Sequence, residues 1–146
     1  MISLRKDNKG FTIIELLIVI VVIGILAAIG FVAYGNVTKS ARDSDRQADA
    51  SAIAKKAEEY YASNGQYPAN IAAIAALEGV DSKTLTSPNG RAAVDGGSTI
   101  GACTTEPISV ATDEYCYIVV TDQSQMEVRY WSEAGGTTES ITGVNN

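Results

Sequence analysis

A single glutamate lies at the start of a long apolar stretch near the N-terminus. Glu15 precedes residues 16–34, which include no charged residue and no proline. At ~1.5 Å of rise per residue this stretch makes ~28 Å of helix, close to the thickness of a bilayer core. A carboxylate at its edge costs free energy on insertion, up to a few kcal/mol at the bilayer centre. Either Glu15 is incidental, or a cationic group pairs with it.

The two cysteines of the chain, Cys103 and Cys116, could form a disulfide. Arg5, Lys6 and Lys9 precede the apolar stretch, and such basic residues keep the N-terminus in the cytoplasm. Both cysteines would then lie outside the cytoplasm, where disulfides persist. We therefore predict a bridge worth ~3 kcal/mol through its restraint of the unfolded chain. Two buried free thiols are the alternative.

The composition argues against an enzyme. There is no histidine, the commonest acid–base catalyst, and no Gly-x-Ser-x-Gly motif. The glycines at 96 and 97 lack the lysine of a phosphate loop. The net charge of −6 argues against nonspecific binding of nucleic acid. We expect no cofactor; Asp113, Glu114 and Asp122 are candidate calcium ligands, although their spacing matches no known calcium loop.

The first half of the chain is predicted to form one long helix, over about residues 11–64. No proline interrupts residues 11–67, and Asn64-Gly65 supplies a left-handed stop before Pro68. Two helices hinged near Gly30 or Gly35 are the alternative. Helical spacing predicts a thin apolar stripe along the second part of this helix: Ala41, Ala48, Ala52, Ile53, Ala57, Tyr60 and Tyr61. It also predicts ion pairs: Arg42 with Asp45, Arg46 with Asp49, and Lys55 with Glu59.

The second half of the chain is predicted to form a short helix and a small antiparallel sheet. Asn70 is a candidate N-cap for a helix over residues 71–78, which Gly79 would end. Residues 86–101 contain two glycine-rich turn signals and are predicted to be a long loop. Residues 115–121 and 125–131 alternate as a hairpin, 137–141 could add an edge strand, and 143–146 should fray. The fold class is therefore α+β, with the long helix packed against the sheet.

Residues 9–30 resemble the N-terminus of the type IV prepilins and pseudopilins. The shared features are a short basic leader that ends in Gly10, then Phe11, Thr12 and Glu15, and then the apolar stretch. A looser similarity extends over residues 60–68, which resemble the helix end of many bacterial pilins. The resemblance implies a pilin-like fold.

The resemblance also implies a processing site and a partner for Glu15. A prepilin peptidase would cleave between Gly10 and Phe11 and then N-methylate Phe11. In the filament that the resemblance implies, Glu15 would pair with the cationic N-terminus of Phe11 in a neighbouring subunit. The expected partners are other pilins in a helical filament, an assembly ATPase, a platform membrane protein and the membrane itself, crossed once before assembly.

These expectations define three segments and a location. Residues 1–10 are a leader, residues 11–35 the membrane and filament-core part of the helix, and residues 36–146 an extracytoplasmic head. The subunit is expected in the inner or cytoplasmic membrane with its N-terminus in the cytoplasm, and later in an extracellular pilus.

The leading hypothesis is a structural, non-enzymatic subunit of a type IV pilus that serves adhesion, motility or DNA uptake. A pseudopilin of a type II secretion or competence system is the second hypothesis, and an anchored binding module that acts as a monomer is the third. A cleaved secretory signal ending near Gly30 and a simple signal anchor are further readings of the apolar stretch.

Overall fold

The computed structural model describes residues 10–101, 103, 107 and 109–144. The leader residues 1–9 therefore lie outside the described residues. The described chain forms a long helix, a short helix and one four-stranded sheet. Its elements are α1 (Ile13–Asn64), α2 (Ile71–Ala75), β1 (Val94–Gly97), a 3₁₀ turn (Val110–Thr112), β2 (Cys116–Val119), β3 (Met126–Ser132) and β4 (Thr137–Thr142).

The chain divides into two compact units, the first ending at Val37 and the second beginning at Thr38. In the first unit every described residue is exposed, including large apolar side chains from Val22 at 47% to Phe11 at 90%. Within α1, an apolar stretch of 18 residues has no buried residue. By length and composition α1 can therefore cross a membrane.

The long helix is confirmed as a single element, because α1 continues through Gly30 and Gly35 without a break. It ends where the sequence predicts. Gly65 adopts φ +74°, and its N–H donates to the carbonyl of Tyr61 at 2.7 Å. The side chain of Asn64 caps a second carbonyl, that of Tyr60, at 2.9 Å. Glycine at this position ends the helix because it adopts the left-handed conformation without steric cost.

In the second unit the core forms between α1 and the sheet. Ala50, Ile53, Ala54 and Ala57 are its helix residues. The predicted stripe was therefore partly wrong: Ala48 and Ala52 are exposed, and the buried face is centred on Ile53. Alanines occur on several faces of this helix, so periodicity alone does not identify the face that meets the sheet. The remaining buried members of the core are Tyr67, Ile74, Tyr115, Tyr117, Val119, Met126, Val128 and Tyr130.

The sheet has the strand order β1-β2-β3-β4 and is mixed, not wholly antiparallel. The predicted hairpin is confirmed, with Val119 opposite Met126 and β4 pairing antiparallel with β3. The difference is β1, which pairs parallel with β2 inside the segment predicted to be a loop. A Cβ at Gly96 would overlap the Cys116 sulfur and the side chain of Ile118. Glycine here permits close strand approach, although its sequence context resembles a turn.

Helix α2 is shorter than predicted, because it ends at Ala75 and not at Glu78. Asn70 is confirmed as its N-cap, accepting from the N–H of Ala73 at 2.8 Å. Beyond the helix, Leu77 donates to the carbonyl of Ile74. This bond spans three residues, so the helical path tightens into a turn before Gly79.

The C-terminal segment is held in place at Gly143 and Val144, where the sequence predicted fraying. Gly143 is buried, and its N–H donates to the carbonyl of Met126 at 3.0 Å. The Glu58 carboxylate accepts from the N–H of Val144 at 2.8 Å and from the Tyr67 hydroxyl at 2.7 Å. The prediction missed this because Glu58 is distant in sequence. Residues 145 and 146 lie outside the described residues.

Candidate functional site

The carboxylate of Glu15 caps the helix that it begins. The backbone N–H and the hydroxyl of Thr12 both donate to Glu15 Oε2, at 2.8 and 2.7 Å. In return, the N–H of Glu15 donates to the Thr12 hydroxyl at 3.3 Å. This reciprocal pair is a capping box, which satisfies N–H groups that have no partner within the helix. The pattern Thr-x-x-Glu before an apolar run was a usable sequence signal for it.

The predicted processing residues lie just before this cap. Gly10 and Phe11 precede the first helical residue, Ile13, and both are exposed. A Cβ built at Gly10 would meet no atom within 4 Å. The structure therefore brings Gly10, Phe11 and Glu15 together in one exposed stretch. Among the described residues, Glu15 has no ion pair, so its pairing with Phe11 of a neighbour stays a prediction.

The predicted disulfide is present between Cys103 and Cys116, with Cα atoms 6.4 Å apart. It joins Cys103 to the first residue of β2, whose side chain lies on the face opposite the core residues of that strand. Beside it, the Gly101 N–H donates to Glu127 Oε2 at 2.6 Å, and the guanidinium of Arg129 donates to the Gly101 carbonyl. Alternation along β3 places Glu127 and Arg129 opposite its core residues. The sequence analysis did not single out either residue.

A cluster of five charged side chains, which we call the charge clasp, joins α1 to the turn between β3 and β4. Its members are Arg42, Asp43, Arg46, Asp113 and Glu133. Arg46 and Asp113 are fully buried, and their closest atoms are 2.6 Å apart. Arg42 holds both oxygens of Glu133, at 2.8 and 2.6 Å. Arg46 reaches the same carboxylate at 2.7 Å.

The predicted helical ion pairs were therefore wrong in their partners. Arg42 pairs with Glu133 and not with Asp45, while Asp49 accepts from the Tyr115 hydroxyl at 2.8 Å. On the exposed side of α1, Glu59 pairs with Lys56 at 2.8 Å and not with Lys55. Exposed helical pairs are worth only a few tenths of a kcal/mol, so tertiary partners override them.

The charges of the clasp shift the acidity of its carboxyl groups. Hydrogen bonds from Arg42 and Arg46 lower the pKa of Glu133 to about 2, against the opposing effect of burial. Burial raises the pKa of Asp43, but the N–H groups of Ala134 and Glu133 outweigh it and the net pKa is lowered. Both carboxylates are therefore ionised at neutral pH.

Two of the three acidic side chains that the sequence offered as calcium ligands accept hydrogen bonds from protein groups. Asp113 accepts from Arg46, Ser87 and Asn89. Asp122 accepts from the backbone and hydroxyl of Ser124. Within the part of the chain that the structure describes, no group of three or more acidic, cysteine or histidine side chains is placed to hold a metal.

Comparison with known proteins places the chain beside pilins. Residues 5–31 match the family model of the prokaryotic N-terminal methylation motif. The chain is 39% identical over 84 residues to the fimbrial protein EcpC of Eikenella corrodens, covering 58% of this chain and 55% of that protein. It is 37% identical over 88 residues to a fimbrial protein of Neisseria meningitidis serogroup B, covering 57% and 52%.

A third relative is the type IV major pilin protein PilE1 of Neisseria gonorrhoeae, 44% identical over 63 residues, or 43% of this chain and 38% of that protein. The chain thus spans about half the length, or less, of the curated relatives it matches. Together with the motif, these matches confirm the resemblance to the type IV prepilin and pseudopilin family.

Proposed function

We propose that this chain is a structural, non-enzymatic subunit of a type IV pilus, which polymerises through its N-terminal helix. The observation that carries the proposal is the exposed apolar part of α1, headed by Glu15 within a methylation motif. Apolar surface of this extent requires a cover, either lipid or neighbouring helices. The relatives named as fimbrial proteins and type IV major pilins support neighbouring helices as the final cover.

Processing would precede assembly. A prepilin peptidase would cut between Gly10 and Phe11, remove the leader of residues 1–10 and methylate the new amino terminus. The exposed, non-helical position of both residues in the described chain suits such a cut. Until assembly, residues 11–35 would anchor the subunit in the inner or cytoplasmic membrane, with the head, residues 36–146, outside the cytoplasm.

In the filament, Glu15 would pair with the amino terminus of Phe11 in a neighbouring subunit. Each charge is costly in an apolar helix bundle, and pairing lowers that cost. A subunit in the wrong register would leave one charge unpaired, so the pair would also select the axial register. Extraction would need an assembly ATPase and a platform membrane protein. Lipid contacts would be exchanged for helix contacts of similar polarity, which makes the transfer nearly balanced.

The test is electron microscopy of sheared surface fractions from cells that express the full chain. We expect long filaments that contain the wild-type chain, and few or none when Glu15→Ala is expressed at the same membrane level. Glu59→Gln is the matched control, because Glu59 belongs to an exposed ion pair with Lys56. Normal filament numbers with Glu15→Ala would refute the assembly mechanism. Short stubs from the wild-type chain would favour a pseudopilin.

A further inference from the structure

The first turns of α1 in the second unit contribute no buried apolar residue to the core. The only apolar residues between positions 38 and 49 are Ala41 and Ala48, and both are exposed. The buried apolar residues of α1 begin at Ala50. Burial of apolar surface therefore stabilises the helix from Ala50 onward, while the preceding turns depend on polar groups.

The charge clasp supplies those polar contacts in two directions. Asp43 accepts from the N–H groups of Glu133 and Ala134, both at 2.8 Å, and from the Ser132 hydroxyl at 3.2 Å. The Glu133 side chain returns to the helix and accepts from Arg42 and Arg46. A helix carboxylate thus binds the turn, and a turn carboxylate binds the helix.

A third segment of the chain contributes Asp113 to the clasp. Asp113 accepts from this guanidinium at 2.6 and 3.1 Å, and from the hydroxyl of Ser87 and the amide of Asn89 at 3.0 and 2.9 Å. Arg46 also donates to Asp43 at 3.0 Å. Every polar nitrogen of this buried guanidinium therefore has an acceptor, which a buried charge requires.

Such an arrangement contributes geometry more than stability. Well-packed apolar residues often stabilise a core as well as a buried ion pair does. Directional hydrogen bonds, however, accept only one rotation and one register of the helix against the turn. Removing one carboxylate takes an acceptor from a charged guanidinium, which costs more than the loss of a hydrogen bond between neutral groups.

We infer that the charge clasp is a conformational lock, which fastens residues 38–49 of the helix to the β3–β4 turn and opens independently of the apolar core. Its use rests on the proposed pilus function: the lock would hold the beginning of the head in one geometry while the apolar part of α1 exchanges lipid for neighbouring helices. The lock itself is a property of the single chain and is testable without filaments.

Hydrogen exchange followed by NMR, on the full chain in detergent micelles, tests the lock. The N–H groups of Glu133 and Ala134 report directly, because both donate to Asp43. In the wild-type chain we expect these two amides to exchange on the order of 100-fold faster than core amides, because the lock opens without the core. In Glu133→Gln we expect their exchange to accelerate further, by about 10- to 100-fold, because Arg42 and Arg46 each lose a charged acceptor. The amides of Ile53 and Val128, in the core, should exchange by global unfolding and remain the slower set in both proteins. Glu59→Gln should change neither set.

Two results would overturn the lock. Exchange at the turn as slow as in the core of the wild-type chain would show that the clasp opens only with global unfolding, and unchanged exchange at the turn in Glu133→Gln would show that Glu133 does not hold it. If Glu133→Gln does not fold, Arg42→Gln replaces it, since Arg42 is 32% exposed and its loss is milder. If exchange shows no lock but the wild-type chain forms normal filaments, the proposed function stands. If exchange shows the lock but the wild-type chain forms no filaments, the lock stands.

Discussion

At the scale of single residues, Glu15 is already bound within its own chain. Its carboxylate accepts two hydrogen bonds from Thr12, both on Oε2. A carboxylate has further lone pairs, so this cap and a cation from a neighbour are compatible. The cap also lowers the cost of the charge beside an apolar helix, because hydrogen-bonded carboxylates tolerate low polarity better than free ones.

Replacing Thr12 by alanine should loosen the first turn of α1 by ~1 kcal/mol, because the cap loses its hydroxyl. We expect faster amide exchange at Glu15 and Leu16, which both donate to Thr12, with residues 50–57 unchanged in micelles. Thr12→Ser keeps the hydroxyl and is the matched control. Equal exchange in the alanine and serine variants would contradict the capping role.

Glu133 should make the head sensitive to acid. Its pKa is lowered to about 2 from an ordinary value of 4.5. A lowered pKa stabilises the fold above the unfolded value, and this contribution is lost as the pH falls from about 4.5 towards 2. Between pH 5 and pH 2, the wild-type free energy of unfolding should fall by ~3 kcal/mol more than that of Glu133→Gln.

Fluorescence of Trp131, the single tryptophan, can follow this unfolding in detergent at each pH. Arg42, Arg46 and Asp43 lie beside Glu133 in both proteins; the arginines stay charged between pH 2 and pH 5, while the titration of Asp43 contributes to both curves. Parallel pH profiles for the two proteins would show that Glu133 titrates normally in the fold.

At the scale of elements, the sequence predicted several features that depend on neighbouring residues. The end of α1, the N-cap of α2 and the β2–β3 hairpin follow from local patterns and are all present. Strand β1 was missed because parallel pairing joins distant segments and leaves no local signal. Gly96 resembled a turn residue, but its role is close approach to β2.

The C-terminal segment offers a test of an element that the sequence predicted wrongly. A Cβ at Gly143 would overlap the Tyr67 ring and approach Glu58. Gly143→Ala should therefore destabilise the head by ~1–3 kcal/mol, as overpacking does. Val144→Ala is the control, because Val144 is 84% exposed and should change stability by less than ~0.5 kcal/mol. Equal denaturation midpoints would show that the segment is loosely held.

At the scale of the whole molecule, the two compact units should respond to substitution separately. Ile53 is fully buried in the second unit, while Glu15 belongs to the first. Ile53→Ala should lower the free energy of unfolding of the head by ~2–5 kcal/mol. Glu15→Gln should leave it unchanged within ~0.5 kcal/mol, because Glu15 is exposed and its hydrogen bonds are to Thr12 of the first unit. A common loss measured by chemical denaturation in micelles would show that the units are coupled.

The sequence by itself determined the apolar helix, its cap, the processing motif and the hairpin, because each depends on residues a few positions apart. Tertiary structure alone decided the partners of Arg42 and Arg46, the parallel strand β1 and the position of the C-terminal segment. The bond from Arg42 to Glu133 joins residues 91 positions apart. At that separation no periodicity links donor and acceptor, and only the packing of the helix on the sheet brings them together.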